Sequence, residues 1–376
     1  MDYRILPKSG QKISTIGIGG TNLPTMSEAE TRRTIDLAIE YGLNIVDLAT
    51  EQPTVFPKIG QTLQWRRDKL MLALHLGLTF QEDGQYKRTR DLVEVKQGFE
   101  QQLKDLATDY ADIAYIHYVD EPDDYDQVFS SGTFDFAVKL KREGRIRHLG
   151  FASHRADISQ RFLETGQFDL FMFSINPAYD LDPVTYNPLE EDLSDLNALN
   201  VAQERADLYH TAEKMGVGIT VMKPLGAGRL LDARTSPFEK PLSVAQCLQY
   251  CLDRPAVLSC MIGVKSAAEL ENLLQYYKAS REERDYSFIS TMRFQEMLGQ
   301  CVYCNHCLPC PANIDIASVH KFLDLAKVGD ELARGHYLSL EHKAGDCLEC
   351  GSCEDNCPFQ VGVRDKMKEA VQFFGV

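Results

Sequence analysis

The chain has 376 residues, 44% of them hydrophobic, enough for one large α/β domain and a small accessory one. Its net charge of −15 excludes nonspecific binding to nucleic acid or to an anionic membrane surface. No apolar run reaches the length of a membrane-spanning helix and no signal-peptide pattern opens the sequence, so a cytoplasmic protein is expected.

After a short N-terminal pair of strands, apolar runs alternate with amphipathic segments. The pattern predicts strands at Ile13–Ile18, Asn44–Ala49, Leu70–Leu76, Ile113–Val119, Ile146–Ala152, Phe168–Ile175, Val217–Met222 and Val257–Ile262. Helices are expected at Glu28–Tyr41, Val55–Gln64, Asp91–Leu106, Tyr125–Arg142, Arg155–Thr165, Ala202–Met215, Val244–Leu252 and Ala267–Lys278. Short, fully apolar strands such as IAYIHYV and GITVM suit a parallel sheet buried on both faces. The alternation therefore predicts an α/β fold, a (β/α)8 TIM barrel over residues 1–280. A doubly wound sheet is the alternative, but GIGGTN after the first strand is not the G-x-G-x-x-G turn such a fold uses. Residues Pro177–Asn200 have no period and read as a loop, either a lid or a solvated surface segment. Residues 281–300 read as a linking helix.

Eight of the eleven cysteines lie in two runs, CVYCNHCLPCP at 301–311 and CLECGSCEDNCP at 347–358. The second is C-x2-C-x2-C-x3-C-P, the bacterial ferredoxin pattern, and the first shortens the last gap by one. A structural zinc ion takes four ligands and gives no reason for runs of four cysteines, while disulfides need an oxidising compartment. Two [4Fe–4S] clusters are the expectation. In two-cluster ferredoxins the fourth cysteine of each run ligates the other cluster. That crossing assigns Cys301, Cys304, Cys307 and Cys357 to one cluster, and Cys310, Cys347, Cys350 and Cys353 to the other. Helical spacing between the runs, and again at Val363–Phe374, makes 281–376 a linker helix with a small α-helical ferredoxin-like domain. Cys247, Cys251 and Cys260 fall in apolar segments and read as buried packing.

At GLNIVDLA (42–49), DIAYIH (112–117), GRIRHLGFASH (144–154), FDLFMFSIN (168–176), MKPLGAGRL (222–230) and IGVKSAAELENL (262–273) the chain resembles an aldo-keto reductase. With the cysteine runs it resembles the branch of that family that carries a C-terminal ferredoxin-type domain. The resemblance implies carbonyl reduction with NADP(H), or the reverse oxidation, by a tetrad of aspartate, tyrosine, lysine and histidine. The aspartate matches Asp47 and the histidine matches His117. The tyrosine's position is Gln52 and the lysine's is His75, so the family's proton donor and its cation are both absent. Glutamine transfers no proton. An imidazole at 75 can still pair with Asp47, which gives Asp47, His75 and His117 as candidate acid/base residues or, alternatively, as a structural network in a lapsed site. Strand alternation places Tyr118 on the opposite face from His117 and Tyr115 on the same face, deeper in the barrel.

For the nucleotide, the resemblance implies that Ser153, His154 and Asn176 hold the carboxamide end, although Met172 and Ile175 replace the family's glutamine and ring-stacking tyrosine. Leu225, Gly226 and Gly228 match the pyrophosphate loop, where small residues let backbone N–H groups approach phosphate. Lys265 and Ser266 suit a 2′-phosphate, and Glu271 and Asn272 the adenine. Two functions follow as expectations. One is an oxidoreductase moving electrons between an organic small molecule or nucleotide in the barrel and the clusters, with a redox protein partner. The other is a lapsed barrel serving as an electron-transfer or assembly subunit.

Overall fold

The computed structural model describes residues 1–81, 84–180, 203–236, 238, 240–291, 299, 301, 303, 307–327, 330, 332–357 and 360–376. They form two compact units. The first comprises Met1–Asn176, Gln203–Ala227 and Ser243–Tyr286; the second comprises 177–202, Gly228–Leu242 and Ser287–Val376.

The first unit is a closed eight-stranded parallel barrel. Its strands are β3 (Ile16–Gly19), β4 (Ile45–Asp47), β5 (Met71–Leu76), β8 (Ala111–Ile116), β9 (Ile146–Ser153), β10 (Leu170–Ser174), β11 (Gly218–Met222) and β12 (Val257–Ile262). The described residues also form two antiparallel hairpins, β1 (Tyr3–Ile5) with β2 (Lys12–Ser14), and β6 (Leu78–Phe80) with β7 (Tyr86–Arg88). Each barrel strand pairs with its neighbour in chain order, and β12 closes on β3. Period-2 alternation decides which side chains enter the interior. Ile45, Met71, Ala73, Ile113, Tyr115, Ala152, Leu170 and Met172 share one buried cluster with Leu6 and Ile13 from the N-terminal hairpin. Gly150 leaves room for the Tyr115 ring, since a Cβ there would lie 2.6 Å from it and 2.8 Å from the Leu170 carbonyl oxygen.

Three departures from the sequence reading have local causes. The expected strand Ile13–Ile18 divides, because Lys12–Ser14 pairs with Tyr3–Ile5 and only Ile16–Gly19 joins the barrel. The expected helix Tyr125–Arg142 is two helices, Pro122–Ser130 and Thr133–Arg142, broken by Gly132 at φ 82°. Of the expected linking helix 281–300, the described residues hold a four-residue turn of helix at Arg281–Arg284 and a 3-10 turn at Ser287–Thr291. Ser280 caps the first turn and Asp285 leaves it in extended backbone; residues 292–298 and 300 lie outside the described set. Within the expected loop Pro177–Asn200, Pro177–Asp180 form one helical turn and the remainder lies outside the described residues.

The second unit contains helices Ile316–Lys327, Ala333–Leu338 and Val363–Phe374. Tyr337 stacks on Phe374 at 4.0 Å between ring centroids and donates to the Val376 carbonyl at 2.7 Å, which pins the tail helix. Asp324 gathers Arg229 (2.8 Å), the Tyr303 hydroxyl (2.8 Å) and Lys366 (3.0 Å). That network ties the 228–242 segment and the first cysteine run to the central helix of the unit.

Candidate active site and cluster site

Asp47 ends β4, His75 is the fifth residue of β5, and His117 follows the last residue of β8. All three stand at the C-terminal ends of strands, where barrel sites are built. They are 4%, 2% and 9% exposed, so each polar atom needs a protein partner. His75 Nε2 lies 2.8 Å from Asp47 Oδ1, and His75 Nδ1 lies 3.0 Å from His117 Nδ1. The fourth member comes from outside the barrel wall. Tyr86, on the β6–β7 hairpin, places its hydroxyl 2.7 Å from His117 Nε2. The sequence reading did not include Tyr86.

Arg90 fixes the His117 backbone. Its Nη2 donates to the carbonyls of His117 (2.6 Å) and Tyr118 (3.0 Å), and the guanidinium forks onto Asp124 at 2.7 and 2.8 Å. Tyr118 departs from expectation. The strand ends at Ile116 and Tyr118 takes φ 40°, so its ring meets His117 at 6.0 Å and His154 at 5.2 Å instead of pointing away. Tyr115 is fully buried and its hydroxyl pairs with Thr220 at 2.8 Å.

The charges around this row separate its members. Burial pushes the Tyr86 phenol up to about 12; Arg88 and Arg90 pull it down, and Glu51 adds to the rise. Burial also drives the His117 imidazolium well below the usual histidine range, helped by His75, Arg90, Arg88 and His154.

The residues expected to hold a nicotinamide nucleotide are mostly engaged elsewhere. Ser153 donates to Asp120 Oδ1 at 3.0 Å, and the same carboxylate takes the His154 backbone N–H at 2.7 Å and its ring Nδ1 at 2.8 Å. Burial alone raises the Asp120 carboxyl, but His154 and these hydrogen bonds more than offset it and hold it below the ordinary carboxylate range. Asn176 donates to the Lys223 carbonyl at 2.9 Å. Leu225 and Gly226 follow β11 in the first unit, Gly226 donating to the Lys223 carbonyl at 2.9 Å, while Gly228 belongs to the second unit. Ser266 caps helix Ala267–Leu274, on which Glu271 and Asn272 are exposed. The N–H groups at its start are taken by carboxylates: Lys265 N–H by Glu269 at 2.7 Å and Ala267 N–H by Glu30 at 2.7 Å. A 2′-phosphate would meet two negative charges there. In this structure Ser153, His154, Asn176 and the N–H groups of Lys265 and Ala267 thus all have protein partners. Asp120, like Tyr86, is a residue that sequence reasoning missed, since nothing periodic marks it in HYVDEP.

The cysteines divide by place. Cys247, Cys251 and Cys260 are fully buried in the barrel unit, Cys251 donating to the Ile175 carbonyl at 3.2 Å, and burial pushes the Cys247 thiol up to about 12. In the second unit, Cys310 of the first run and Cys347, Cys350 and Cys353 of the second line one small pocket. Its walls include Ile314, Ile316, Val363 and Met367. Among the described residues no group of three or more His, Cys, Asp or Glu closes round a single ion. Four thiols spread around an apolar cavity fit an inorganic cluster better than one metal ion. Cys301, Cys307 and Cys357 also belong to this unit, and Cys304 lies outside the described residues.

A closed parallel barrel with acid/base groups at its C-terminal rim, followed by cysteine runs in a helical unit, defines an oxidoreductase joined to an iron–sulfur domain. The aldo/keto reductase family model matches residues 15–246 and a 4Fe-4S dicluster domain model matches residues 300–362; the chain belongs to the aldo/keto reductase family. It is 26% identical over 294 residues to an uncharacterized oxidoreductase of Bacillus subtilis, YqkF, covering 75% of this chain and 92% of that protein. It is also 26% identical over 191 residues to Protein tas of Escherichia coli, covering 43% of this chain and 55% of that protein. Among solved structures, aldo-keto reductase AKR11C1 from Bacillus halodurans shares the fold, with a TM-score of 0.60 and 22% identity, over 77% of this chain and 96% of that one. Among the described residues no helix is long and apolar enough to cross a membrane.

Proposed function

We propose that this chain is an iron–sulfur oxidoreductase that exchanges electrons between a hydroxyl or carbonyl compound at the barrel mouth and two [4Fe–4S] clusters. The observation that carries the reading is the cavity lined by Cys310 from one run and Cys347, Cys350 and Cys353 from the other. It is the set that crossed ligation assigns to a single cluster, and Cys301, Cys304, Cys307 and Cys357 would hold the second. When bound, the clusters supply one-electron storage and transfer, and two of them match a two-electron change at carbon.

The barrel's part is proton chemistry. Asp47 orients His75, and His75 meets His117, which gives a carbonyl or hydroxyl oxygen a route to a buried acid/base pair without the family's lysine. A hydrogen-bonded row that runs from the barrel interior toward its mouth favours working chemistry over a lapsed scaffold. A redox protein partner would carry electrons to or from the chain. No step is assigned to a nucleotide, because its donors are already paired with Asp120, Glu30 and Glu269.

The test uses the full chain purified without oxygen. A panel of hydroxyl compounds is added to protein with oxidised clusters, and bleaching of the visible cluster absorbance is followed in the parent and in His75→Ala. Bleaching in the parent that is lost in His75→Ala, with iron content equal, supports the proposal. Equal bleaching in both removes the barrel site from the reaction.

A further inference from the structure

With His75 neutral, the hydrogen-bond row at the barrel mouth has one consistent proton pattern. Asp47 offers only acceptor oxygens as a carboxylate, so the proton between it and His75 sits on His75 Nε2. A neutral His75 then presents Nδ1 as an acceptor, and the 3.0 Å contact requires His117 to donate from its own Nδ1. His117 Nε2 is left as an acceptor, so the Tyr86 hydroxyl donates to it across 2.7 Å. These tautomers are assigned from the hydrogen-bond pattern. Every donor in the row points inward, toward Asp47.

Tyr86 is also the row's outer end. Asp47, His75 and His117 are buried, while Tyr86 is half-buried on the hairpin. Its proton is committed to His117, so its oxygen lone pairs are what remain to receive an incoming hydroxyl group.

From this geometry we propose that Tyr86 exchanges the proton with the substrate oxygen, and that His117 and His75 carry it to and from Asp47. Tyr86 thereby fills, from a different element, the role left open by Gln52. The inference rests on the oxidoreductase reading above. In the oxidising direction the substrate O–H bond breaks as a proton joins the Tyr86 oxygen. The Tyr86 proton moves to His117 Nε2, the His117 Nδ1 proton moves to His75 Nδ1, and His75 ends as an imidazolium against the Asp47 carboxylate. This step moves the O–H proton alone; the C–H bond breaks separately, its two electrons going to the clusters and its proton to solvent at the barrel mouth, and reduction reverses both.

The order of the groups explains why a relay is required. With its phenol at about 12, Tyr86 cannot wait as a phenolate near neutral pH. Arg88 and Arg90 favour the phenolate and Glu51 opposes it, with burial dominating. His117, facing His75, Arg90, Arg88 and His154, does not hold a second proton. The one position with a carboxylate partner in direct contact is His75. A proton that enters at Tyr86 therefore passes through His117 and rests at His75.

Two measurements on the cluster-loaded full chain test this, with Tyr86→Phe beside the parent and His75→Ala. The first is the rate of cluster bleaching by a hydroxyl substrate, expected to fall on the order of 100-fold in Tyr86→Phe with iron content unchanged. Bleaching at the parent rate in Tyr86→Phe, while His75→Ala is dead, overturns the Tyr86 assignment and leaves the oxidoreductase reading standing. The second needs no substrate. Histidine-selective 15N spectra of the parent should show His117 protonated on Nδ1 and His75 on Nε2, and the His117 Nε2 resonance should shift in Tyr86→Phe. A parent His117 protonated on Nε2 overturns the relay, whatever the fate of the proposed activity.

Discussion

His75 and His117 meet through their Nδ1 atoms, 3.0 Å apart, with rings nearly perpendicular at 82°. One of the two must donate and the other accept, so the pair cannot be protonated on both facing nitrogens. Asp47 decides which, by holding the Nε2 proton of His75. Asp47→Asn removes that control, because an amide can donate to or accept from His75 Nε2. Turnover by Asp47→Asn should fall on the order of 100-fold or more, with cluster content equal to the parent. Steady-state rates beside iron analysis check this; a rate within about two-fold of the parent would make the carboxylate incidental.

Arg90 is the structural support of the same site. It is 8% exposed, forks onto Asp124, and holds the carbonyl of His117 at 2.6 Å. Arg90→Leu leaves the partly buried Asp124 with only Arg88, at 3.3 Å, as a cationic partner. Losing charge-assisted hydrogen bonds of this kind costs on the order of 2 kcal/mol. Urea unfolding should show that loss as a lower midpoint at unchanged slope. Asp124→Asn combined with Arg90→Leu should recover part of it.

Alkaline pH should weaken the barrel unit. The phenols of Tyr86, Tyr276 and Tyr286 are each pushed up to about 12, first by burial. In the unfolded chain a tyrosine ionises near about 10. The folded state therefore binds more protons than the unfolded state between these values. The stability they contribute is fully present below about pH 10 and is lost as pH rises to about 12. Urea midpoints measured across that window should fall steadily, and Tyr86→Phe should fall less steeply than the parent.

The nucleotide site gives a prediction of opposite sign to most mutations. Glu30 and Glu269 occupy the N–H groups of Ala267 and Lys265 with contacts of 2.7 Å each. Glu30→Gln with Glu269→Gln removes two negative charges from the place where a 2′-phosphate would sit. NADPH affinity, followed by fluorescence titration, should rise by about ten-fold or more, since each charge removed there contributes on the order of 1 kcal/mol. Unchanged affinity would show that no phosphate approaches this helix.

Much of the barrel was legible because buried parallel strands leave near-continuous apolar runs, and Asp47, His75 and His117 stand where those runs end. Their mutual contacts follow from period-2 alternation and strand register, with His75 beside Tyr115. Tyr86 was not legible in the same way. It stands on a hairpin of three-residue strands, too short for periodicity to register. The Asp83–Gly84 dipeptide between TF and YK was the available turn signal, but it does not say which barrel residue the hairpin reaches. Asp120 was hidden for a related reason, since a loop carboxylate gains meaning only when Ser153 and His154 fold against it. The cysteine runs were the most readable feature of all, because ligand spacing survives without knowledge of the fold.

The central claim is that two clusters work with one barrel site, and reductive coulometry of the anaerobically loaded full chain tests it most directly. The parent should hold about eight irons and take up about two electrons per chain, falling to about four irons and about one electron in Cys353→Ser. A parent that takes up about one electron with about four irons per chain would contradict it.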